Sequence, residues 1–118
     1  MDKAGEKQIT ISYDDFSKVE IRVGTIIDVQ DFPEARRPAY RLQIDFGELG
    51  IKRSSAQIMN YKKDKLMGMK VVAVTNFAPK QVANFISEAL VLGALTSDGV
   101  ILLTPNDPEK TKPGDRIA

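Results

Sequence analysis

V-E-I-R-V-G-T-I-I-D-V, residues 19–29, is the stretch whose alternation decides the architecture of this chain. Val19, Ile21, Val23, Thr25, Ile27 and Val29 fall on one side of an extended segment. Glu20, Arg22, Gly24, Ile26 and Asp28 fall on the other. A repeat of two predicts a half-buried strand. It is long enough to serve two sheets, and Gly24 is where it could bend sharply. Working outward, Tyr40, Leu42, Ile44 and Phe46 alternate with Arg41, Gln43 and Asp45 and predict a second strand. Gly47 and Gly50 bracket a short turn into a more polar strand over 51–57. Residues 58–66 read as a short helix or helical turn, stopped by Gly68. Residues 69–77 are apolar on both faces and are expected to form the central strand. Residues 89–95 and 100–104, joined by the Ser97-Asp98-Gly99 turn, complete the sheet.

Three strands, a short helix and two or more further strands give an all-β chain in the order of an OB-fold. That fold is a small Greek-key barrel with its helix between the third and fourth strands. An SH3-like barrel or a small sandwich fits the same strand count. The 118 residues make a single domain, with the barrel over about 14–104 and extensions over 1–13 and 105–118. The first extension carries a short alternating strand, Q-I-T-I-S (8–12), then one helical turn with Asp14 or Asp15 near its start. A detached strand with Ile9 and Ile11 on one face needs an edge to pair with, on its own barrel or on a second copy.

The chain has neither His nor Cys. The commonest general base and metal ligand is therefore missing, and a zinc site would have to rely on carboxylates alone. There is no calcium-loop pattern and no glycine-rich phosphate loop. Ser54-Ser55, with Lys52 or Lys70 as the available base, is the one nucleophilic arrangement to weigh. The expectation is a binding module, not an enzyme, with no cofactor. No apolar run approaches the ~20 residues that span a bilayer. The first residues, M-D-K-A-G-E-K, have no apolar signal region, so membrane insertion is not expected and the cytoplasm is.

The net charge is only +1, but it is unevenly spread. Residues 34–80 balance at +6, whereas 1–33 balance at −3 and 81–118 at −2. An OB barrel binds across its second and third strands and the loops beside them. Those elements carry Arg36, Arg37, Arg41, Lys52 and Arg53, and the turn after the fourth strand adds Lys80. Dispersed cations suit phosphate contacts. Tyr40 and Phe77 are expected to point inward and Phe85 to pack the barrel end, so shape recognition of a folded RNA is favoured over base stacking. In N-F-A-P-K-Q-V-A-N-F-I-S-E-A-L-V-L-G (76–93), Asn76 either caps the turn ahead of Pro79 or meets a ligand. Ser87 faces the same alternative. Arg22 and Glu88 are expected in ion pairs.

V-E-I-R-V-G-T-I (19–26), F-P-E-A-R-R-P-A-Y-R-L-Q-I-D-F-G (32–47), G-I-K-R-S-S-A-Q-I (50–58), N-F-A-P-K-Q-V-A (76–83) and S-E-A-L-V-L-G (87–93) together resemble the tRNA-binding domain. That domain stands at the C-terminus of bacterial methionyl-tRNA synthetase and in related proteins. The phrasing F-P-E-A-R-x-P-A and I-K-x-S-S-A-Q-I resembles the CsaA-like export chaperones in particular. The resemblance implies an OB barrel that forms a homodimer through its extensions and binds tRNA without catalysis. It also implies a chaperone role with unfolded preproteins and the export translocation motor as partners. It places a pocket near Asn76, Lys80 and Ser87. Two departures stand out: Ser87-Glu88-Ala89-Leu90 replaces S-x-G-M, and Lys80-Gln81 replaces two adjacent cations. Both weaken a tight grip on tRNA and strengthen the alternative, a preprotein-binding chaperone with little tRNA binding.

Overall fold

Ile21–Asp31 forms one long strand, β1, and the barrel is assembled along its two edges. The structure, a computed structural model, describes residues 9–118; residues 1–8, including Gln8 of the expected outer strand, lie outside the described residues. The first half of β1 pairs antiparallel with β4 (Lys70–Val74), from Ile21↔Val74 to Thr25↔Lys70. Its second half pairs with β2 (Tyr40–Asp45), which pairs in turn with β3 (Ile51–Ala56). β4 also pairs with β7 (Leu90–Val91), giving a five-stranded sheet in the order β3-β2-β1-β4-β7. The two ends of that sheet meet: the amides of Glu88 and Ala89, just before β7, both donate to the Arg53 carbonyl, at 2.8 and 3.2 Å. A four-residue helix, α2 (Lys63–Leu66), lies between β3 and β4 and buries Leu66 completely in the core. This is the OB barrel that the strand order predicted. Two hairpins stand outside the sheet, β5 (Lys80–Val82) with β6 (Phe85–Ser87), and β8 (Gly93–Thr96) with β9 (Gly99–Leu102), so of the stretches expected to complete the sheet only Leu90–Val91 joins it.

The face assignment of β1 needs correcting. Ile26 is wholly buried, while Ile27 is 38% exposed. The register with β2 shifts between Ile26 and Asp28, which marks a bulge. One extra residue reverses the inside–outside phase beyond it, so Ile26 and Val29 both reach the core. Gly24 is on the barrel side too, and its role is room: a Cβ there would lie 2.5 Å from Ile44 Cγ2 and 2.6 Å from Phe46 Cε1. The expected central strand ends at Val74, and Phe77 is exposed instead of pointing inward. The expected turn carrying Lys80 is the β5–β6 hairpin, whose two-residue loop holds Ala83 at φ 53°. Such a loop normally uses glycine or asparagine at positive φ, so an alanine there hides the hairpin from sequence reading.

The helical turn before β1 is α1 (Tyr13–Ser17), closed by a capping box. Ser12 Oγ accepts from the Asp15 amide at 3.0 Å, and the Asp15 carboxylate accepts from the Ser12 amide at 3.3 Å. Residues 9–12 make no strand pairing, and Ile9 and Ile11 stand exposed. The C-terminal extension folds onto its own barrel. The Gly114 amide donates to the Val23 carbonyl, the Val23 amide to Asp115 and the Ile117 amide to Ile21, each at 2.8 Å. The tail therefore takes the edge of β1 that β2 leaves free. Lys70 Nζ ties its start by donating to the carbonyls of Pro108 and Thr111.

Glu20 holds the end of this strap. Its carboxylate pairs with Arg22 at 2.7 Å and with Arg116 of the tail at 3.5 Å. Arg22 also donates to the Gly114 carbonyl at 3.1 Å, the structural ion pairing expected for it. The hydrogen bond from Arg22 is the largest cause holding the Glu20 carboxyl below its ordinary pKa; desolvation opposes it, and the charges of Arg116 and Arg22 add to the lowering. A depressed folded-state pKa adds stability that is complete above the unfolded value and is lost as pH falls through the folded one. Thermal unfolding followed from neutral to acidic pH should therefore show a smaller acid-induced loss in Glu20→Gln than in wild type. An equal loss in both would show that Glu20 does not fasten the tail.

Candidate nucleic-acid interface

The β2–β3 ladder sorts the predicted cations. Lys52 lies opposite Ile44 and Ser54 opposite Leu42, on the barrel side. Arg53 lies opposite Gln43 and Ser55 opposite Arg41, on the outer side. Lys52 and Arg53, neighbours in sequence, therefore leave β3 on opposite faces.

On the outer face two guanidinium groups are seated on aromatic rings. Arg41 Cζ lies 5.5 Å from the Phe32 ring centre and Arg53 Cζ 5.5 Å from that of Phe85. The two rings meet edge to face at 5.4 Å. Arg41 also donates from Nε to the Asp31 carbonyl at 3.2 Å, and Arg53 Nε lies 3.5 Å from Glu88. The Glu88 pair is half-exposed on both sides and worth little in water. Its larger structural part is to accept the Arg53 backbone amide at 3.0 Å. Phe85 was expected to pack the barrel end; it packs Phe32 and also carries Arg53.

From Arg53 the surface continues into a groove of about 630 Å³. Ser55, Ser87 and Lys80 line it together with exposed Phe77 and Leu90 and with Val82. Lys80 and Ser87 are direct cross-strand partners in the hairpin, and Ser87 Oγ accepts the Ser55 amide at 3.2 Å. In the other direction Arg36 lines a cleft with Phe32, and Arg37 is exposed on the same loop. Lys80 and Ser87 thus share one groove, and the paired Phe32 and Phe85 rings join the cleft of Arg36 to Arg41 and Arg53; Arg37 is exposed beside Arg36. Among the described residues, Arg36, Arg37 and Lys80 have no carboxylate within ion-pair distance.

Asn76 stands apart. Its Oδ1 accepts the Glu20 amide at 2.9 Å and its Nδ2 donates to the Lys18 carbonyl at 2.7 Å, so its amide joins α1 to the end of β4. Ser54 is buried with no hydrogen-bond partner for its hydroxyl, and Lys70 is committed to the tail. The two are not assembled as a nucleophile and its base. No group of acidic residues among those described could hold a metal ion, and no helix among them is long and apolar enough to cross a membrane. The two Arg–aromatic pairs, the backbone amide that Glu88 accepts and the exposure of Phe77 have no signal in the sequence, whereas the ion pair expected for Glu88 is present, with Arg53. Only the outward phase of Arg41 and Gln43 on β2 signalled that face.

The outer strand face of this OB barrel thus presents two ring-stacked guanidinium groups, and beside it lies a mostly apolar groove with Lys80 and Glu88 on its walls. The family model described as "Putative tRNA binding domain" matches residues 21–116. The chain belongs to this tRNA-binding domain family. It is 39% identical over 113 residues to the methionine–tRNA ligase of Leptospira interrogans, covering 95% of this chain and 15% of that ligase. The chain thus spans about a seventh of the length of the curated relatives it matches. Among solved structures it superposes on the CsaA chaperone protein of Picrophilus torridus with a TM-score of 0.88 and 62% identity, over 92% of this chain and all of that one. It matches chaperone CsaA of Bacillus anthracis with a TM-score of 0.86 and 46% identity, over 93% of this chain and again all of the other.

Proposed function

We propose that this protein is a non-enzymatic, CsaA-like tRNA-binding homodimer that also serves as a chaperone in protein export, working in the cytoplasm. The observation that carries the tRNA part is a run of cations: Arg36 in the cleft at Phe32, Arg41 and Arg53 on the joined Phe32 and Phe85 rings, and Lys80 in the groove at Ser87. Such a run neutralises a phosphate backbone by displacing its counterions. The homodimer is supported by apolar side chains left open to water, Ile9, Ile11 and Tyr13 before the barrel and Leu95, Ile101 and Leu103 on and beside β8–β9. The groove lined by Phe77, Val82 and Leu90 favours a second reading, capture of an unfolded preprotein segment with little tRNA binding.

Analytical ultracentrifugation with and without bulk tRNA, at low and high salt, tests these readings together. The expected result is a dimer that co-sediments with tRNA at low salt and releases it steeply as salt rises. Failure to co-sediment at any salt, with suppression of client aggregation intact, would leave the preprotein reading alone. A monomer at every concentration would remove the homodimer.

A further inference from the structure

Two polar rows cross the outer face of β1, β2 and β3 side by side. Strand pairing sets Asp28 beside Gln43 and Gln43 beside Arg53 in one row, and Gln30 beside Arg41 and Arg41 beside Ser55 in the next. Between them lies a cleft of about 190 Å³ lined by Asp28, Gln30, Arg41, Gln43, Arg53 and Phe85, with Leu42 below. The geometry points to this cleft as the place where one unpaired nucleobase of a bound RNA is read, a base whose edge offers hydrogen-bond donors. The inference rests on the tRNA-binding reading above and adds to it a sequence-sensitive contact.

Size is the first ground: a cleft of about 190 Å³ is on the scale of one flat ring system. The second is the state of its walls. Arg41 is held by the Phe32 ring, the Asp31 carbonyl and Gln30 Oε1, the last at 3.3 Å. Arg53 is held by the Phe85 ring and Glu88. Guanidinium planes fixed before binding lose little freedom on contact, and they stack on bases as readily as they meet phosphate. The third ground separates base from phosphate. Asp28 places a carboxylate in the cleft; one oxygen accepts Gln30 Nε2 at 2.9 Å, and the other meets no donor among the described residues. A free carboxylate oxygen repels a phosphate group. It attracts the exocyclic amine of cytosine, adenine or guanine. The uracil edge, with a carbonyl on each side of its single N–H, fits that oxygen poorly. Gln43, with a donor and an acceptor on one amide, supplies the second contact.

The test compares fluorescein-labelled cytidine and uridine oligomers of about six nucleotides by fluorescence anisotropy, with bulk tRNA measured in parallel. Cytidine should bind roughly fivefold tighter or more, the scale of one lost base contact. Asp28→Asn should bring that ratio close to one, because an amide can serve either edge. The ratio is the readout, since removing a negative charge raises both affinities together. Gln43→Ala should shrink the ratio as well, which keeps the test valid if Asp28→Asn folds poorly. Equal binding of the two oligomers by a protein that still binds tRNA would overturn the inference and leave the tRNA reading standing. Loss of binding to oligomers and tRNA alike would overturn both.

Discussion

Gly24→Val is expected to lower the thermal midpoint of this protein by more than ~10 °C, from an overpacking cost of about 3 kcal/mol or more. At Gly24 the backbone of β1 passes directly over Ile44 and Phe46, both fully buried. Even the first atom of a side chain would stand 2.5 Å from Ile44 Cγ2, inside any real contact distance. Val71, on β4, is the Cα partner of Gly24 and is itself wholly buried, so neither flank can yield. Gly24→Ala should follow the same course at about 1–3 kcal/mol. Gly68→Ala is the informative contrast. Its site is open, but its φ is +80°, so it should cost only the backbone strain of about 1–2 kcal/mol. Circular dichroism melts of the three variants give the ranking. Gly24→Val melting with wild type would mean that β1 and β2 can separate locally without loss of the barrel.

The second large effect concerns binding. Replacing Arg41, Arg53 and Lys80 by Gln together should weaken tRNA binding by about a hundredfold at low salt and flatten its salt dependence by about three charges' worth. Each position loses one cation and keeps a polar side chain of similar reach. Lys52→Gln, on the barrel side of β3, should leave both quantities near wild type. Filter binding across a salt series gives affinity and slope in one experiment. If Lys52→Gln were as damaging as the triple variant, the run of cations described above would not be the binding surface.

How much of this was legible in the chain depends on how local each feature is. The barrel was legible because strand alternation, the helix stop at Gly68 and the Ser97-Asp98-Gly99 turn are set by neighbours in sequence. Tyr40, Leu42 and Ile44 face inward along β2, and Phe46 just beyond it is buried as well. The phase of β1 did not, because the bulge near Ile27 answers to its partner strand and not to its own residues. Of the seven candidate site residues, Lys80 and Ser87 share one groove, Arg53 adjoins it through Glu88, and Arg36 lines a separate cleft. Lys52 and Arg53 are adjacent in sequence, but adjacent strand residues point apart. Asn76 was weighed evenly between structure and ligand, and its amide is engaged at both ends within the fold. The stacking of Arg41 on Phe32 and Arg53 on Phe85 joins positions from three separate elements, so no local pattern announces it.

The strap along β1 bears on how this chain comes into being. Residues 114–117 supply the hydrogen-bonding neighbours of Ile21 and Val23, so segments far apart in sequence lie side by side. A polypeptide emerging from the ribosome must hold β1 with a naked margin until Ile117 has cleared the exit tunnel. Contacts between such distant residues form slowly, and an uncovered strand border invites association with other nascent chains. Closure of this margin therefore waits on residues 114–117, and deleting them should yield a protein that accumulates as aggregate.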